Sequence, residues 1–263
     1  MKLKKIYVIA ALPLIIIAIW WLGALPANTL SAAKPNDKML HLSEELLYAV
    51  KTEAVSDSLE TALSSLKMND VIAGLSNDNA KKTFWINIYN AWFQILSIRQ
   101  KKNNPEIYTE KINTIAGHLF SLDDIEHGIL RKYREKKSLG YLPQFLPPRL
   151  IKQLAVSAID YRIHFTLNCG AKSCPAIAFY TCEKLEQQLN LATNVFIKSE
   201  TTADTLKKEL YTSKILQWYK GDFGGTKGIL ALLSKTLQQD FTGYTIKFTE
   251  YDWTAHLKNY RAG

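Results

Sequence analysis

The sequence predicts an α+β fold, a mostly helical single domain around a small β-sheet. Apolar residues recur at helical spacing through the N-terminal half and again after residue 180. Only two short stretches, near 160–170 and 244–253, alternate apolar and polar residues as strands do. Strands and helices do not alternate regularly, which argues against a doubly wound parallel sheet. The chain has 263 residues, enough for one domain with a substantial core.

The first 26 residues differ from the rest of the chain. An uncharged apolar run at 6–26 matches the roughly 20 residues needed to cross the hydrocarbon core of a bilayer. The basic terminus before it holds Lys2, Lys4 and Lys5, which favours a cytoplasmic N-terminus. We therefore predict a membrane anchor or a signal peptide at 1–26. Small residues in "LSAAKP" keep cleavage open as the alternative.

The leader determines where the rest of the chain should lie. Residues 27–40 are typical of a linker, and residues 41–263 form the predicted domain. We predict that this domain lies on the extracytoplasmic, periplasmic side of the membrane, or is secreted if the leader is cleaved. The formal charge is +9, of which the leader contributes three charges. Basic pairs alternate with acids and form no stripe with interleaved aromatics. We predict membrane contact through residues 6–26 and no nucleic-acid partner.

The segment 77–98 predicts a buried central helix, because it is apolar almost all round. Its polar exceptions share one face, at spacings of four, three and four residues: Thr83, Asn87, Asn90 and Gln94. Buried amides need hydrogen-bond partners. Two interpretations stay open: the amides contact a ligand, or they brace the backbone of a neighbouring loop.

The segment "SLDDIEHGILRKY" predicts a second polar row. Ser121 and Asp124 have the spacing of a capping box at a helix start. Asp123, His127 and Arg131 follow one another at intervals of four residues, so they share a helical face. On spacing alone a solvent-exposed ion-pair face is favoured over a functional site.

The stretch "RIHFTLNCGAKSCP" at 162–175 concentrates polar chemistry. Its first half alternates polar and apolar residues, which predicts a strand with His164 on the polar face. "CGAKSC" predicts a turn. Three interpretations of Cys169 and Cys174 stay open: a disulfide, a nucleophilic thiol with a histidine base, or part of a metal site. The spacing matches no standard zinc motif.

The remaining segments predict a loop, helices and a last strand. Three prolines make 141–150 an irregular loop. A helix at about 181–197 carries Cys182 on its apolar face, as a small core residue. "SKILQWYKGDFGGTKGILALLSKTL" predicts two helices joined by a glycine-rich turn, and "YTIKFTEYDWTA" predicts a terminal strand.

Five segments together resemble the signature of the DUF547 family: "FWINIYNAW", "SLDDIEHGILR", "RIHFTLNCGAKSCP", "WYKGDFGG" and "YDW". The resemblance covers about residues 45–255. It implies no established activity, and a cysteine-peptidase-like or transglutaminase-like fold enters only as a hypothesis. The positions that match family motifs are Asn87, Asn90, Glu126, His127, Arg131, His164, Asn168, Cys169, Ser173, Cys174 and Asp222.

The sequence thus favours a thiol-dependent hydrolase or acyltransferase. Cys174 would be the nucleophile, His164 or His127 the base, and Asn168 an oxyanion donor. A small-molecule or peptide substrate would contact a further set of residues: Asn87, Asn90, Glu126, Arg131 and Asp222. We predict no cofactor and no metal. The alternative is a non-catalytic module that binds a ligand or partner and has a structural Cys169–Cys174 disulfide.

Overall fold

A computed structural model describes residues 36–102 and 105–261. The N-terminal half is helical, as predicted. Its α-helices are α1 (Asp37–Lys51), α2 (Asp57–Ser64), α3 (Met68–Gly74), α4 (Asp78–Gln94) and α5 (Glu106–Thr109). A π-helix, Ile95–Arg99, extends α4, and a second π-helix spans Asp124–Leu130.

The C-terminal half adds four α-helices and the larger sheet. The helices are α6 (Arg149–Leu154), α7 (Leu185–Glu200), α8 (Lys214–Trp218) and α9 (Gly225–Leu237). The strands are β1 (Asn113–Ile115), β2 (His118–Phe120), β3 (Thr202–Asp204), β4 (Glu209–Ser213) and β5 (Thr245–Thr249). The predicted α+β class is confirmed.

The strands form two small sheets. β1 and β2 pair as an antiparallel hairpin. In the second sheet, in the order β3-β4-β5, β4 pairs antiparallel with β3 and parallel with β5. The predicted terminal strand is therefore confirmed as β5, and the two helices around the glycine-rich turn are confirmed as α8 and α9.

The predicted strand at 162–168 is wrong. Residues Tyr161–Phe165 form a 3₁₀ helix, which begins where the Asp160 carboxylate accepts the Arg162 N–H at 3.1 Å. The Thr166 hydroxyl ends it by donating to the Ile163 carbonyl at 2.7 Å. Ile163, His164 and Phe165 are all buried, so the apparent alternation does not separate an inner face from an outer one. Side chains of this segment are surrounded by protein on several sides.

Helix α4 is the centre of the larger hydrophobic cluster. Asn77 caps it by accepting the Ala80 N–H at 2.9 Å, as predicted. The Asn87 amide donates to the Tyr180 carbonyl at 2.8 Å and accepts the Tyr180 N–H at 3.1 Å. The Asn90 amide also bonds to backbone, but at two different residues. It donates to the Thr166 carbonyl and accepts the Asn168 N–H, each at 2.9 Å. The polar stripe of α4 therefore positions loops.

Within the described residues, no helix combines the length and apolar character needed to cross a bilayer. The predicted anchor or signal peptide at 1–26 and most of the predicted linker lie outside the described residues. The anchor or signal peptide stays a prediction, and the predicted linker ends earlier than residue 40, because α1 begins at Asp37.

Removing one bracing amide should destabilise the fold. We expect Asn87→Ala to lower the free energy of unfolding by about 2–4 kcal/mol, because it leaves the buried N–H and carbonyl of Tyr180 unpaired. Urea denaturation measures the loss. Asn194→Ala, on the exposed face of α7, is the matched control and should change stability by less than about 0.5 kcal/mol. An Asn87→Ala value within that range would contradict the bracing role.

Candidate functional site

A pocket of about 280 Å³ opens between four segments. They are the π-helix Asp124–Leu130, the 3₁₀ helix Tyr161–Phe165, α8 and the residues that follow β5. This volume is near the lower end for small-molecule sites, which are roughly 300–1,000 Å³. Its lining is mostly aromatic and apolar, and charged side chains lie on one side of it. The lining residues are Tyr89, Tyr108, Asp123, Glu126, His127, Lys136, His164, Leu167, Cys169, Cys174, Ile215, Trp218, Tyr219, Tyr251 and Trp253.

One wall of the pocket is a disulfide between Cys169 and Cys174, whose Cα atoms are 6.0 Å apart. The Tyr251 hydroxyl lies 3.1 Å from the Cys169 sulfur and 3.3 Å from the Cys174 sulfur. The Cys169 N–H points at the Cys174 sulfur from 2.7 Å. Of the three interpretations, the structure therefore supports the disulfide, and Cys182 is the free cysteine.

Asn168 shapes the loop that carries this disulfide. Its side-chain amide donates to the Pro175 carbonyl at 2.8 Å, and its side-chain oxygen accepts the Gly170 N–H at 2.9 Å. Both ends of the side chain are therefore occupied within the loop, and Asn168 does not line the pocket.

The opposite side of the pocket is built on the π-helix Asp124–Leu130. The capping box is confirmed, since Ser121 and Asp124 exchange two hydrogen bonds of 3.0 Å. The helix presents Glu126 and His127 to the pocket, and Arg131 follows directly after it. Arg131 Nη1 lies 2.7 Å from His127 Nδ1, and His127 Nε2 lies 3.5 Å from Asp123.

Asp222 joins this helix to the 3₁₀ segment. A single carboxylate oxygen, Oδ2, accepts a hydrogen bond from Arg131 Nε at 2.6 Å and another from His164 Nε2 at 2.8 Å. The side chains of Arg131 and Asp222 are fully buried. Gly140 packs over the carboxylate with φ of +85°, and a Cβ atom there would collide with Asp222 Oδ1. The predicted solvent-exposed face is thus wrong, because His127 and Arg131 are buried.

These contacts fix the protonation of both histidines. Burial lowers the pKa of His164, which is therefore neutral and donates its Nε2 proton to Asp222. Its Nδ1 is then a lone-pair acceptor. Burial also lowers the pKa of His127, whose Nδ1 accepts from Arg131 and whose proton is therefore on Nε2.

The two carboxylates are ionised. Burial alone would raise the pKa of Asp222, but its hydrogen bonds from His164 and Arg131 outweigh burial and lower it. Burial likewise opposes ionisation of Glu126, whose pKa is lowered by nearby His127, the Tyr219 hydroxyl and Arg131. Because His127 is itself neutral, we assign most of the lowering of the Glu126 pKa to Arg131 and to the Tyr219 hydroxyl. This hydroxyl donates to Glu126 at 2.6 Å.

Aromatic rings complete the pocket. The Tyr219 ring stacks on His164 with centroids 3.8 Å apart, and the Arg131 guanidinium lies over the same ring at 4.6 Å. Trp218, Tyr251 and Trp253 are in mutual contact, with centroid separations of 4.6–5.8 Å. Trp253 is half exposed, so this aromatic cluster reaches the protein surface.

The family described as "Protein of unknown function, DUF547" matches residues 72–197. These residues are a DUF547 domain. The resemblance is confirmed for "FWINIYNAW", "SLDDIEHGILR" and "RIHFTLNCGAKSCP", while "WYKGDFGG" and "YDW" lie beyond the matched residues. No curated protein and no solved structure was found to match the chain. The cysteine-peptidase-like or transglutaminase-like architecture stays a hypothesis.

The structure sorts the predicted site residues into three groups. Four line the pocket: Glu126, His127, His164 and Cys174. Asp222 and Arg131 lie directly behind His164 and Tyr219, and Asn87, Asn90 and Asn168 hold backbone. Among the described residues, no cluster of three or more His, Cys, Asp or Glu side chains is arranged to hold a metal ion.

Sequence reasoning missed the aromatic side of the pocket. Trp218 and Tyr219 belong to "WYKGDFGG", and Tyr251 and Trp253 belong to "YDW". Both segments carried the family resemblance and contain adjacent or nearly adjacent aromatic residues. That density of aromatics was the available signal.

Acid should destabilise the DUF547 domain through its buried histidines. The unfolded chain takes up protons below about pH 6.5, whereas the folded state keeps His127 and His164 neutral. Stability is therefore present above that pH and lost as the pH falls, by up to about 2 kcal/mol per histidine at pH 5. Urea denaturation between pH 7 and pH 5 measures the slope.

His127→Gln should flatten this slope, because glutamine can still accept from Arg131 but does not titrate. His256→Gln, at an exposed histidine, is the matched control for loss of an imidazole. A slope that His127→Gln leaves unchanged would contradict the neutral, buried state of His127.

Proposed function

We propose that the DUF547 domain binds a small organic molecule in this pocket, and that the Cys169–Cys174 disulfide is a structural part of its wall. The observation that carries the proposal is an aromatic pocket next to a buried charged network, in which Asp222 pairs with Arg131 and His164. Such a combination of apolar walls and a few convergent polar groups is typical of ligand sites. Catalysis is not required for this function.

The pocket offers hydrogen-bond acceptors as well as the donors of its hydroxyl, indole and ammonium groups. Glu126 is ionised and lines the pocket, and His164 presents a neutral ring whose Nδ1 is an acceptor. Asp123 adds a further carboxylate, partly neutralised by Lys136 at 2.8 Å. A ligand with donors, such as an amine, an amide N–H or a hydroxyl group, would complement these acceptors. Its apolar part would contact the rings of Trp218, Tyr251 and Trp253.

The disulfide supports a structural role for the cysteine loop. A sulfur held in a disulfide is not a free nucleophile. Disulfides persist in oxidising compartments outside the cytoplasm, so the bond also supports our proposal that the domain acts on the extracytoplasmic side. The three segments that hold the sulfurs, around Asn168, Ser173 and Tyr251, are joined by hydrogen bonds to one another.

Ligand binding can be tested by thermal-shift screening of small amines, amides and alcohols that carry an apolar group. A true ligand at about 100 times its Kd should stabilise the chain by about 2.7 kcal/mol. Trp218→Ala should abolish the shift because it removes an apolar wall of the pocket. Leu206→Ala, at a residue exposed in the β3–β4 turn, is the matched control and should keep it. Compounds that stabilise Trp218→Ala as strongly as the wild type would argue against this pocket.

A second candidate is thiol-dependent acyl chemistry in the reduced protein. Two observations favour it. Cys174 and His164 line the same pocket, and Asp222 orients His164 as the third member of a catalytic triad would. The Cys169 N–H and the Tyr251 hydroxyl already lie within 3.3 Å of the Cys174 sulfur, and both groups would stabilise a thiolate.

In this candidate reaction, the Cys174 thiolate attacks an acyl carbon while His164 holds the thiol proton. The proton passes to the leaving group as the carbonyl re-forms and leaves a thioester. Water then attacks the thioester, with His164 as base, and releases the acid and the thiol. Asn168 would not supply the oxyanion donor, because its amide is bonded to Pro175.

The redox state of Cys174 separates the two candidates. Without reductant we expect alkylation, followed by mass spectrometry, to label only Cys182; burial raises the pKa of that thiol, so labelling should be slow. After reduction, thiol chemistry predicts hydrolysis of p-nitrophenyl acetate that Cys174→Ser abolishes and Cys182→Ser preserves. Equal activity in both variants would exclude the thiol candidate. Labelling of Cys174 without reductant would contradict the structural disulfide.

A further inference from the structure

We propose that an exposed apolar loop at 139–146, together with the basic residues around it, docks the domain onto a lipid bilayer that contains anionic headgroups. This contact is separate from the predicted leader at 1–26 and from the pocket. It is supported by the exposure of the side chains, by the ordered hairpin that carries the loop and by the charge of the residues around it.

The loop presents five large apolar side chains to solvent within eight residues. Phe145 is 92% exposed and Leu146 is 75% exposed. The other three are also exposed: Leu139, Tyr141 and Leu142. Single exposed apolar residues are normal on protein surfaces, but a contiguous group of this kind marks an interaction site.

The loop is held in this position by ordered backbone. Gln144 N–H donates to the Tyr133 carbonyl at 2.7 Å, and Glu135 N–H donates to the Leu142 carbonyl at 2.9 Å, so 133–144 closes as a hairpin. Gly221 N–H donates to the Leu139 carbonyl at 2.7 Å and fixes the hairpin to the glycine-rich turn. The side chains of Leu139, Tyr141 and Leu142 are therefore exposed by a defined structure, and Phe145 and Leu146 follow the hairpin directly.

The backbone at the end of the loop adopts an unfavourable conformation. Leu146 has φ of +50°, in the left-handed region that residues with branched side chains avoid. Pro147 and Pro148 follow and remove two backbone donors. Strained conformations of this kind cluster at functional sites.

The surroundings of the loop are strongly basic. Between residues 132 and 152 the chain has six cations and one acid, Glu135: Lys132, Arg134, Lys136, Lys137, Arg149 and Lys152. Lys137, Arg149 and Lys152 are exposed and form no ion pair within the described residues. Such unpaired cations can contact the anionic headgroups of a bilayer. The exposed aromatic and aliphatic side chains beside them can insert among the acyl chains below. A basic protein partner would be repelled by the same surface.

The predicted leader can hold the chain at a membrane by itself, so insertion of the loop must be the measured quantity. We would place a tryptophan at the most exposed position of the loop with Phe145→Trp, in the full chain. The protein is then reconstituted into vesicles of phosphatidylcholine with brominated acyl chains, with or without phosphatidylglycerol. Leu206→Trp is the matched control, since Leu206 is 97% exposed in the β3–β4 turn as a single apolar residue.

The measured quantity is the tryptophan fluorescence of Phe145→Trp minus that of the wild type. It should fall about twofold in vesicles with phosphatidylglycerol, because brominated chains quench an indole at their depth. Quenching should weaken as the salt concentration rises to about 1 M, where the screening length is about 3 Å. Adding Lys137→Glu and Arg149→Glu should also weaken it, and neither residue lines the pocket. Quenching at position 145 no greater than at position 206 would overturn the proposal. Equal quenching with and without phosphatidylglycerol would overturn its anionic specificity.

Discussion

The buried carboxylate of Asp222 is the interaction on which the site depends. One of its oxygens receives hydrogen bonds from Arg131 and His164, which come from segments separated by more than 30 residues. A buried charge without partners would be strongly destabilising, so both donors must be in place for the carboxylate to be ionised. The π-helix, the 3₁₀ segment and the glycine-rich turn are therefore fixed relative to one another by a single group.

This arrangement explains the chemical character of the pocket. Asp222 sets the tautomer of His164, and the Arg131 that pairs with it also donates to His127, so both rings are neutral. Tyr219 stacks on His164 and donates to Glu126, which places an ionised acceptor beside an aromatic ring. Lys136 lines the pocket and also belongs to the hairpin that carries the apolar loop. A ligand and a membrane surface would thus meet neighbouring parts of the same hairpin.

The patterns that could be read from sequence were those with local causes. The caps at Asn77 and at Ser121, the all-round apolar character of α4, and strand β5 depend on residues a few positions apart. The strand predicted at 162–168 failed because alternation predicts a strand only when one face of the chain meets solvent. His164 is polar, yet it is buried against Tyr219 and Asp222, so its segment had no solvent-exposed face.

By itself, the sequence determined the α+β class, the buried helix α4 with its amide stripe, and the membership of 72–197 in DUF547. It also named Glu126, His127, His164 and Cys174, together with five other residues, as candidates for the site. Only the tertiary structure decided that Asn87 and Asn90 bind backbone, that Cys169 and Cys174 are joined, and that Trp218 and Trp253 complete the pocket. The physical reason is range: caps and periodicity act within one or two turns, whereas these contacts join residues up to 93 positions apart.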